Sequence, residues 1–154
     1  MNTEFIVEKG RPEHLDAIME IENACFAEDS FSRRQISYLI SKAQGSCYVI
    51  CKNKNVVAYV SFVYRSNASN LRMYSLAVHP LARRLNLGQM LMDTSIGYAV
   101  EHNYKSVTLE VDTKNKAAIA LYTKNGFKYT SIKKDYYHNG DAYCMKKELV
   151  TPHS

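Results

Sequence analysis

Arg83 and Arg84 lie in a short segment between an apolar strand and an apolar helix. This segment is a candidate binding site for an anion. Pro80 cannot donate a backbone hydrogen bond, so the strand should end before it, and the helix should begin near Leu87 or Gly88. The first amides of a helix have no partner within it, and with the arginine charges they favour a phosphate ester. An ordinary corner with two solvated arginines fits the same pattern equally well, because basic turns at helix starts are common.

A second group of polar residues includes the carboxylate of Glu110. Apolar and polar residues alternate from Ser106 to Asp112, which predicts a strand with Glu110 on its less apolar face. Asn115 can cap a helix after this strand, and Asn125 followed by Gly126 predicts a left-handed end to that helix. A carboxylate in a cleft can take a proton from an amine nucleophile. The pattern alone nevertheless favours a cross-strand ion pair for Glu110 over catalysis.

Several other chemistries lack their motifs in this sequence. The basic turn does not end in Gly-Lys-Ser/Thr, as nucleoside-triphosphatase loops do, and no acidic residue follows at the spacing of a dinucleotide-binding fingerprint. A Gly-x-Ser-x-Gly elbow is also absent. The five histidines show no pair four apart with a glutamate between them, so no metal site is expected. His79, beside the turn, is expected to be a surface residue.

The composition is that of an ordinary folded domain, with 46% apolar and 23% charged residues among 154. We expect one domain over residues 1–150 and a short tail at 151–154. The net charge of +5 comes from dispersed basic residues, which argues against direct nucleic-acid binding. No apolar stretch approaches the roughly 18 residues of a membrane span, so a cytoplasmic location is expected. Four cysteines are expected to be buried and reduced: Cys25, Cys47, Cys51 and Cys144.

Strands and helices alternate along the sequence around a run of three consecutive strands. This order predicts an α/β fold with a mixed sheet, in which the three strands form an antiparallel meander with turns at 53–55 and 66–70. The acidic AEDSF segment at 27–31 is expected to be an exposed connector. The predicted strands are Phe5–Lys9, Cys47–Lys52, Val56–Tyr64, Leu71–Val78, Ser106–Asp112, Phe127–Lys133 and Ala142–Leu149. Three predicted helices run from Pro12 to about Phe26, from Leu87 to about His102, and from Asn115 to Asn125. A further helix is predicted to begin at a capping box formed by Ser32 and Gln35.

The basic turn resembles the signature of the GNAT superfamily of N-acetyltransferases. In that signature a strand ends in Val-x-Pro and is followed by Arg or Gln, two residues, Gly, one residue, and Gly or Ala. Here the matching positions are Val78, Pro80, Arg83, Asn86 and Gly88. Asn86 stands where the family usually has glycine, and asparagine is one of the few other residues that tolerate a left-handed backbone.

The segment from Leu109 to Phe127, LEVDTKNKAAIALYTKNGF, with the following YYHNGDAYCM, is similar to the RimI-like ribosomal-protein alanine acetyltransferases. The resemblance covers roughly Asn70 to Leu149, whereas the preceding residues agree in layout more than in sequence. It implies a GNAT-type α/β fold with a mixed, mainly antiparallel central sheet of about seven strands, flanked by about four helices.

The resemblance also implies a reaction, the transfer of an acetyl group from acetyl-CoA to a primary amine by direct attack in a ternary complex. For this branch the acceptor would be the N-terminal α-amine of a ribosomal or other protein, and the enzyme would be a monomer or homodimer that needs no metal. Two alternatives remain open at this point. One is acetylation of a small-molecule amine, such as a polyamine, antibiotic or metabolite, and the other is a non-catalytic acyl-CoA-binding module.

The functional residues of the family map onto matching positions of this chain. Glu110 is implied as the acceptor of the amine's proton, directly or through water, and Tyr122 as the acid that protonates the departing thiolate. The simpler alternative for Tyr122 is helix packing with its hydroxyl at the surface. Tyr136 and Tyr137, at the start of the last connection, are expected either to line the acceptor site or only to cover the sheet. The implied acetyl-CoA contacts are Leu76, Ala77, Val78, Arg83, Arg84, Leu85, Asn86, Leu87, Gly88, Gln89 and Asn115.

Overall fold

The computed structural model describes residues 4–41, 45–63 and 69–149. Within these residues it contains seven strands and four helices, with short 3₁₀ turns at Pro12–His14, Ala27–Asp29 and Pro80–Ala82. The strands are β1 Phe5–Lys9, β2 Gly45–Lys52, β3 Asn55–Val63, β4 Asn70–Val78, β5 Ser106–Asp112, β6 Lys128–Tyr137 and β7 Gly140–Glu148. The helices are α1 Leu15–Phe26, α2 Arg33–Ser41, α3 Leu87–Glu101 and α4 Lys116–Lys124.

The strands form one seven-stranded sheet in the order β1-β2-β3-β4-β5-β7-β6. Antiparallel ladders join β1 to β2, β2 to β3, β5 to β7 and β7 to β6, whereas β4 and β5 are parallel. The predicted α/β class, with a mixed, mainly antiparallel sheet and four helices, is therefore confirmed. The turn predicted at 66–70 and the tail at 151–154 lie largely outside the described residues.

Two compact units divide the chain: Met1–Val63 with Tyr74–Leu91, and Tyr64–Met73 with Met92–Ser154. In the first unit α1 packs on β3 and α2 packs on β2. The apolar stripes of the two helices meet the strands in one cluster, whose members recur at helical spacing in the helices and at alternate positions in β2. The members of this cluster are Ile18, Ile21, Ile36, Leu39, Cys47, Val49, Cys51, Tyr59 and Ala77.

Two local signals in the first unit formed as predicted. At the start of α2 the Ser32 amide donates to Gln35 Oε1 at 2.7 Å, and the Gln35 amide donates to the Ser32 hydroxyl at 3.1 Å. This is the reciprocal capping box expected from the two residue types. The β2–β3 hairpin closes through Asn53 and Lys54, whose φ angles of 52° and 70° are both positive. A type I′ turn requires such angles at both central positions.

The second unit contains the strand and helix that carry the predicted catalytic residues. The apolar side chains of β5 are buried and its polar side chains after Ser106 are half-buried, as the alternation predicted. Asn115 caps α4 by accepting a hydrogen bond from the Ala118 amide at 3.2 Å. Gly126, with a φ of 92°, ends the helix in the predicted left-handed conformation.

Strand β6 is longer than predicted and ends at Tyr137 rather than Lys133. Tyr136 and Tyr137 therefore belong to the strand, and their predicted place in the connection is wrong. The strand lies at the edge of the sheet with nearly all its residues exposed, so it lacks the apolar alternation that marks a half-buried strand. An irregular register between Lys133 and Tyr137 includes Asp135, whose φ is 53°. Among the described residues, no helix has both the length and the apolarity needed to cross a membrane.

Candidate active site

The turn before α3, in the first unit, adopts a backbone that few residue types tolerate. Arg84 and Asn86 have φ angles of 68° and 64°, which places both in the left-handed region. The expectation that Asn86 tolerates this conformation is confirmed. The first bond of the helix ladder runs from the Met90 amide to the Asn86 carbonyl at 3.2 Å, so the amides before it point toward the turn. The exposed turn thus presents the positive end of the helix dipole to solvent.

Arg83 contacts the end of β4 rather than extending along the turn. Its Nε donates to the Val78 carbonyl at 3.3 Å, and its Nη2 lies 3.4 Å from Cys25 Sγ. The Cys25 thiol donates to the same carbonyl at 3.3 Å. Burial raises the pKa of Cys25, and the nearby Arg83 opposes that effect. Arg83 therefore ties the strand end to α1, and Arg84 is the arginine of this turn that lacks such an anchor in the contacts of the described residues.

Glu22 is a buried carboxylate on α1 that the sequence analysis did not identify. It is 1% exposed, and its carboxylate accepts from the Phe31 amide at 2.8 Å, from the Ser75 hydroxyl at 3.0 Å and from the Tyr59 hydroxyl. Burial raises the pKa of Glu22, while these hydrogen bonds lower it. The signal that could have revealed it is its position four residues after Ile18, on the apolar stripe of α1.

The segment at 27–31 is anchored by that carboxylate. The Phe31 amide bonds Glu22, and the Ser30 hydroxyl donates to the Glu22 carbonyl at 3.1 Å. The Phe31 ring also stacks on Tyr74 with 5.6 Å between centroids. The expectation of a plain exposed connector is therefore wrong for Ser30 and Phe31, which are half-buried, although Glu28 is exposed. A buried partner decided this, and such a partner cannot be read from the local composition of the segment.

In the second unit Glu110 forms the cross-strand ion pair that its position suggested. Arg72 on β4 donates from Nη2 to Glu110 Oε1 at 2.7 Å, and Lys133 on β6 places Nζ 3.3 Å from Oε2. The Glu110 side chain is only 13% exposed, so the two contacts are shielded from solvent on the carboxylate side. Both oxygens thus contact cations, and neither cation was identified from the sequence.

Tyr122, on α4, is buried rather than exposed at the surface. Its side chain is 6% exposed, and its ring lies 5.8 Å from that of Phe127 in a tilted arrangement. The alternative of a surface hydroxyl is therefore wrong. Burial raises the pKa of Tyr122, so the phenol keeps its proton at neutral pH. A protonated phenol is the form needed to donate a hydrogen bond or a proton.

The rings of Tyr136 and Tyr137 lie in the neighbourhood of Glu110. The two rings meet edge to face with 4.9 Å between centroids, and Arg72 Nη2 lies 3.4 Å from the Tyr136 hydroxyl. Burial raises the pKa of Tyr137, and the charges or hydroxyls of Tyr136, Asp112, Glu110 and Tyr122 raise it further. Tyr137 is thus close enough to interact electrostatically with both predicted catalytic residues.

Glu8, His14 and Cys51 form a group that could hold a metal ion, with ligand atoms within 4.8 Å of one another. Hydrogen bonding gives the group another explanation. The Arg11 amide donates to His14 Nδ1 at 2.9 Å, so a neutral imidazole carries its proton on Nε2, which lies 3.6 Å from Glu8 Oε1. A protonated Nε2 cannot ligate a metal. Arg11 also pairs with Glu8 at 3.0 Å, which satisfies the carboxylate.

A sequence model of the acetyltransferase (GNAT) family matches residues 15–127 of the chain. The chain belongs to the GNAT family. It is 32% identical over 146 residues to the N-alpha-acetyltransferase daf-31 of Caenorhabditis elegans, a match that spans 88% of this chain and 80% of that protein. It is 29% identical over 152 residues to the putative ribosomal protein bS18-alanine N-acetyltransferase of Bacillus subtilis strain 168, across 94% of this chain and 96% of that protein.

The fold agrees with this assignment. The crystal structure of the ribosomal-protein-S18-alanine N-acetyltransferase from Escherichia coli superposes with a TM-score of 0.86 and 22% identity, over 98% of this chain and 99% of that one. The predicted RimI-like GNAT membership is therefore confirmed, and the protein is an N-acetyltransferase of the GNAT type. Its predicted site residues divide between the units: the strand end and turn from Leu76 to Gln89 belong to the first, and Glu110, Asn115 and Tyr122 belong to the second.

Proposed function

We propose that the protein transfers the acetyl group of acetyl-CoA to the N-terminal α-amine of a protein, as one domain over residues 1–150. The observation that carries this proposal is the turn of the first unit, where left-handed Arg84 and Asn86 precede the N-terminus of α3. A helix start beside an exposed arginine favours the binding of phosphate groups, and family membership supports the pyrophosphate of a CoA thioester as the ligand. The relatives that act on protein N-termini support the choice of acceptor.

The residues of the turn fit the cofactor that the family uses. Backbone amides from Arg84 to Gln89 would hold the pyrophosphate, and the backbone of Leu76, Ala77 and Val78 would bond the pantetheine arm. Arg83, which bonds the Val78 carbonyl, would position the strand end, so that Arg84 supplies the charge nearest the phosphates. Asn115, whose side-chain oxygen already caps α4, would contact the cofactor through its amide nitrogen.

The chemistry requires the chain to move two protons. The amine nitrogen forms a bond to the thioester carbonyl carbon, the carbon–sulfur bond breaks, and its electron pair leaves with sulfur. We assign Glu110 as the group that takes a proton from the amine, directly or through water, because an amine is nucleophilic only when its lone pair is free. We assign Tyr122 as the group that donates to the departing sulfur, since burial keeps its phenol protonated. Glu110 returns a proton to solvent, and Tyr122 regains one, before the next turnover.

An acceptor panel tests the proposal. The protein is incubated with acetyl-CoA and either free N-terminal peptides, the same peptides with blocked N-termini, lysine peptides or polyamines, and thiol release and product mass are followed. We expect turnover that requires a free peptide N-terminus. Turnover on polyamines or lysine peptides alone would contradict the protein N-terminal acceptor. Tight acetyl-CoA binding without turnover on any acceptor would contradict catalysis and identify an acyl-CoA-binding module.

A further inference from the structure

We propose that the preferred acceptors carry a carboxylate close to the reacting amine, and that Lys133 recognises it; this inference rests on the proposed function. Arg72 and Lys133 together bring two positive charges to the single negative charge of Glu110. The ion-pair partners of Glu110 therefore carry one more positive charge than its carboxylate neutralises. Peptides whose charge complements the two cations beside Glu110 are therefore the preferred acceptors.

The two cations differ in how firmly they are held. Arg72 bonds Glu110 at 2.7 Å and lies 3.4 Å from the Tyr136 hydroxyl, so its guanidinium is fixed by two partners. Lys133 lies 3.3 Å from Oε2 of Glu110, and its side chain is 46% exposed. The Lys133 ammonium also sits 5.3 Å from the centroid of the Tyr136 ring, an attraction that keeps it near the site without a directional bond. Lys133 is the cation that can move away at lower cost.

An acceptor amine and the Lys133 ammonium compete for the same atom. Both are primary amines, and the proton transfer assigned to Glu110 brings the acceptor, or the water that relays its proton, to a carboxylate oxygen that Lys133 now contacts. Arrival of the acceptor therefore separates Lys133 from Glu110 and leaves its positive charge without a carboxylate. An acidic side chain on the acceptor supplies that carboxylate. The substrate class that follows is protein N-termini with Asp or Glu next to the first residue.

The neighbouring lysine provides a matched control. Lys134 lies on the same strand, is 74% exposed and pairs with Asp141 at 3.3 Å, so its charge is already balanced away from Glu110. Reversing the charge at Lys134 changes the net charge of the protein by the same amount as reversing it at Lys133. Only the change at Lys133 alters the charge that contacts Glu110. Long-range charge effects are therefore separated from contact at the site.

The experiment compares three peptides that differ only in their second residue, which is Glu, Gln or Lys. We expect kcat/KM in the order Glu, Gln, Lys, with about a fivefold span, the size of one partly exposed ion pair. Lys133→Gln should abolish the order and Lys133→Glu should reverse it, whereas Lys134→Glu should retain it. Thermal unfolding of each variant checks that it folds. Added salt should reduce the preference of the wild type, because exposed charges are screened.

The outcomes separate this inference from the proposed function. Equal kcat/KM on the three peptides, or a Glu preference that survives in Lys133→Glu, would overturn the inference while leaving N-terminal acetylation intact. A preference lost equally in Lys134→Glu would also overturn it, since the effect would then be one of net charge. Absence of turnover on all three peptides would overturn the proposed function and this inference with it.

Discussion

Replacing Glu22 tests how the first unit holds the segment after α1. In Glu22→Ala the Phe31 amide and the hydroxyls of Tyr59 and Ser75 lose the carboxylate that they share. The two hydroxyls lie 2.9 Å apart and can still bond each other, so one or two groups are left unsatisfied. At about 1–3 kcal/mol for each such group, we expect the free energy of unfolding to fall by about 2–4 kcal/mol. Glu22→Gln keeps an acceptor for the Phe31 amide and should cost about 1 kcal/mol or less near neutral pH.

The pKa of Glu22 determines how the difference in the free energy of unfolding between the wild type and Glu22→Gln depends on pH. Burial raises it above its ordinary value of 4.5, so the folded protein binds the proton more tightly than the unfolded chain does. The wild-type free energy of unfolding should therefore fall relative to that of Glu22→Gln as pH rises from about 4.5 through the raised folded-state pKa. Above that value the difference should become constant. Glutamine has no proton to lose, so the variant removes this one contribution and leaves the others.

Urea unfolding followed by far-UV circular dichroism measures both effects, because the chain contains no tryptophan for fluorescence. The wild type, Glu22→Gln and Glu22→Ala are compared at about pH 5 and about pH 8. A loss below about 1 kcal/mol in Glu22→Ala would refute the buried hydrogen-bond network. A wild-type minus Gln difference that does not change between the two pH values would refute the raised pKa.

Four further variants test other parts of the structure. Glu110→Gln should lower the acetylation rate by about 10²–10⁴-fold and leave acetyl-CoA affinity, measured by calorimetry, unchanged; unchanged kinetics across pH would leave Glu110 with the ion pair alone. Tyr122→Phe should slow transfer with little change in acetyl-CoA binding, and a severe loss of binding would instead make Tyr122 a structural or cofactor contact. Gly126→Ala should cost about 1 kcal/mol or more in the free energy of unfolding, because its φ is 92°. Gly97→Ala, inside α3 with nothing within 4 Å of the added carbon, should stabilise by up to about 1 kcal/mol; equal effects of the two glycine variants in urea unfolding would contradict the conformational argument.

Much of the fold could be predicted because its signals are local. The alternation in β5, the capping box of α2 and the left-handed stop at Gly126 each depend on residues within a few positions of one another. The end of β6 was not predicted, because no local signal in the sequence marks it. An edge strand whose residues are nearly all exposed offers no periodic apolar signal, and its pairing with β7 rather than its own pattern sets its length.

Some features of the candidate site could likewise be predicted from local sequence, and others could not. Sequence patterns were enough to predict the α/β fold, the left-handed tolerance of Asn86, the cap at Asn115 and the face of β5 that carries Glu110, because backbone preference and strand periodicity are properties of short segments. The groups that surround those residues could be known only from the folded chain. Arg72 meets Glu110 across 38 positions of sequence, and Glu22 meets Ser75 across 53. Such contacts depend on strand order and helix packing, which no short segment encodes by itself.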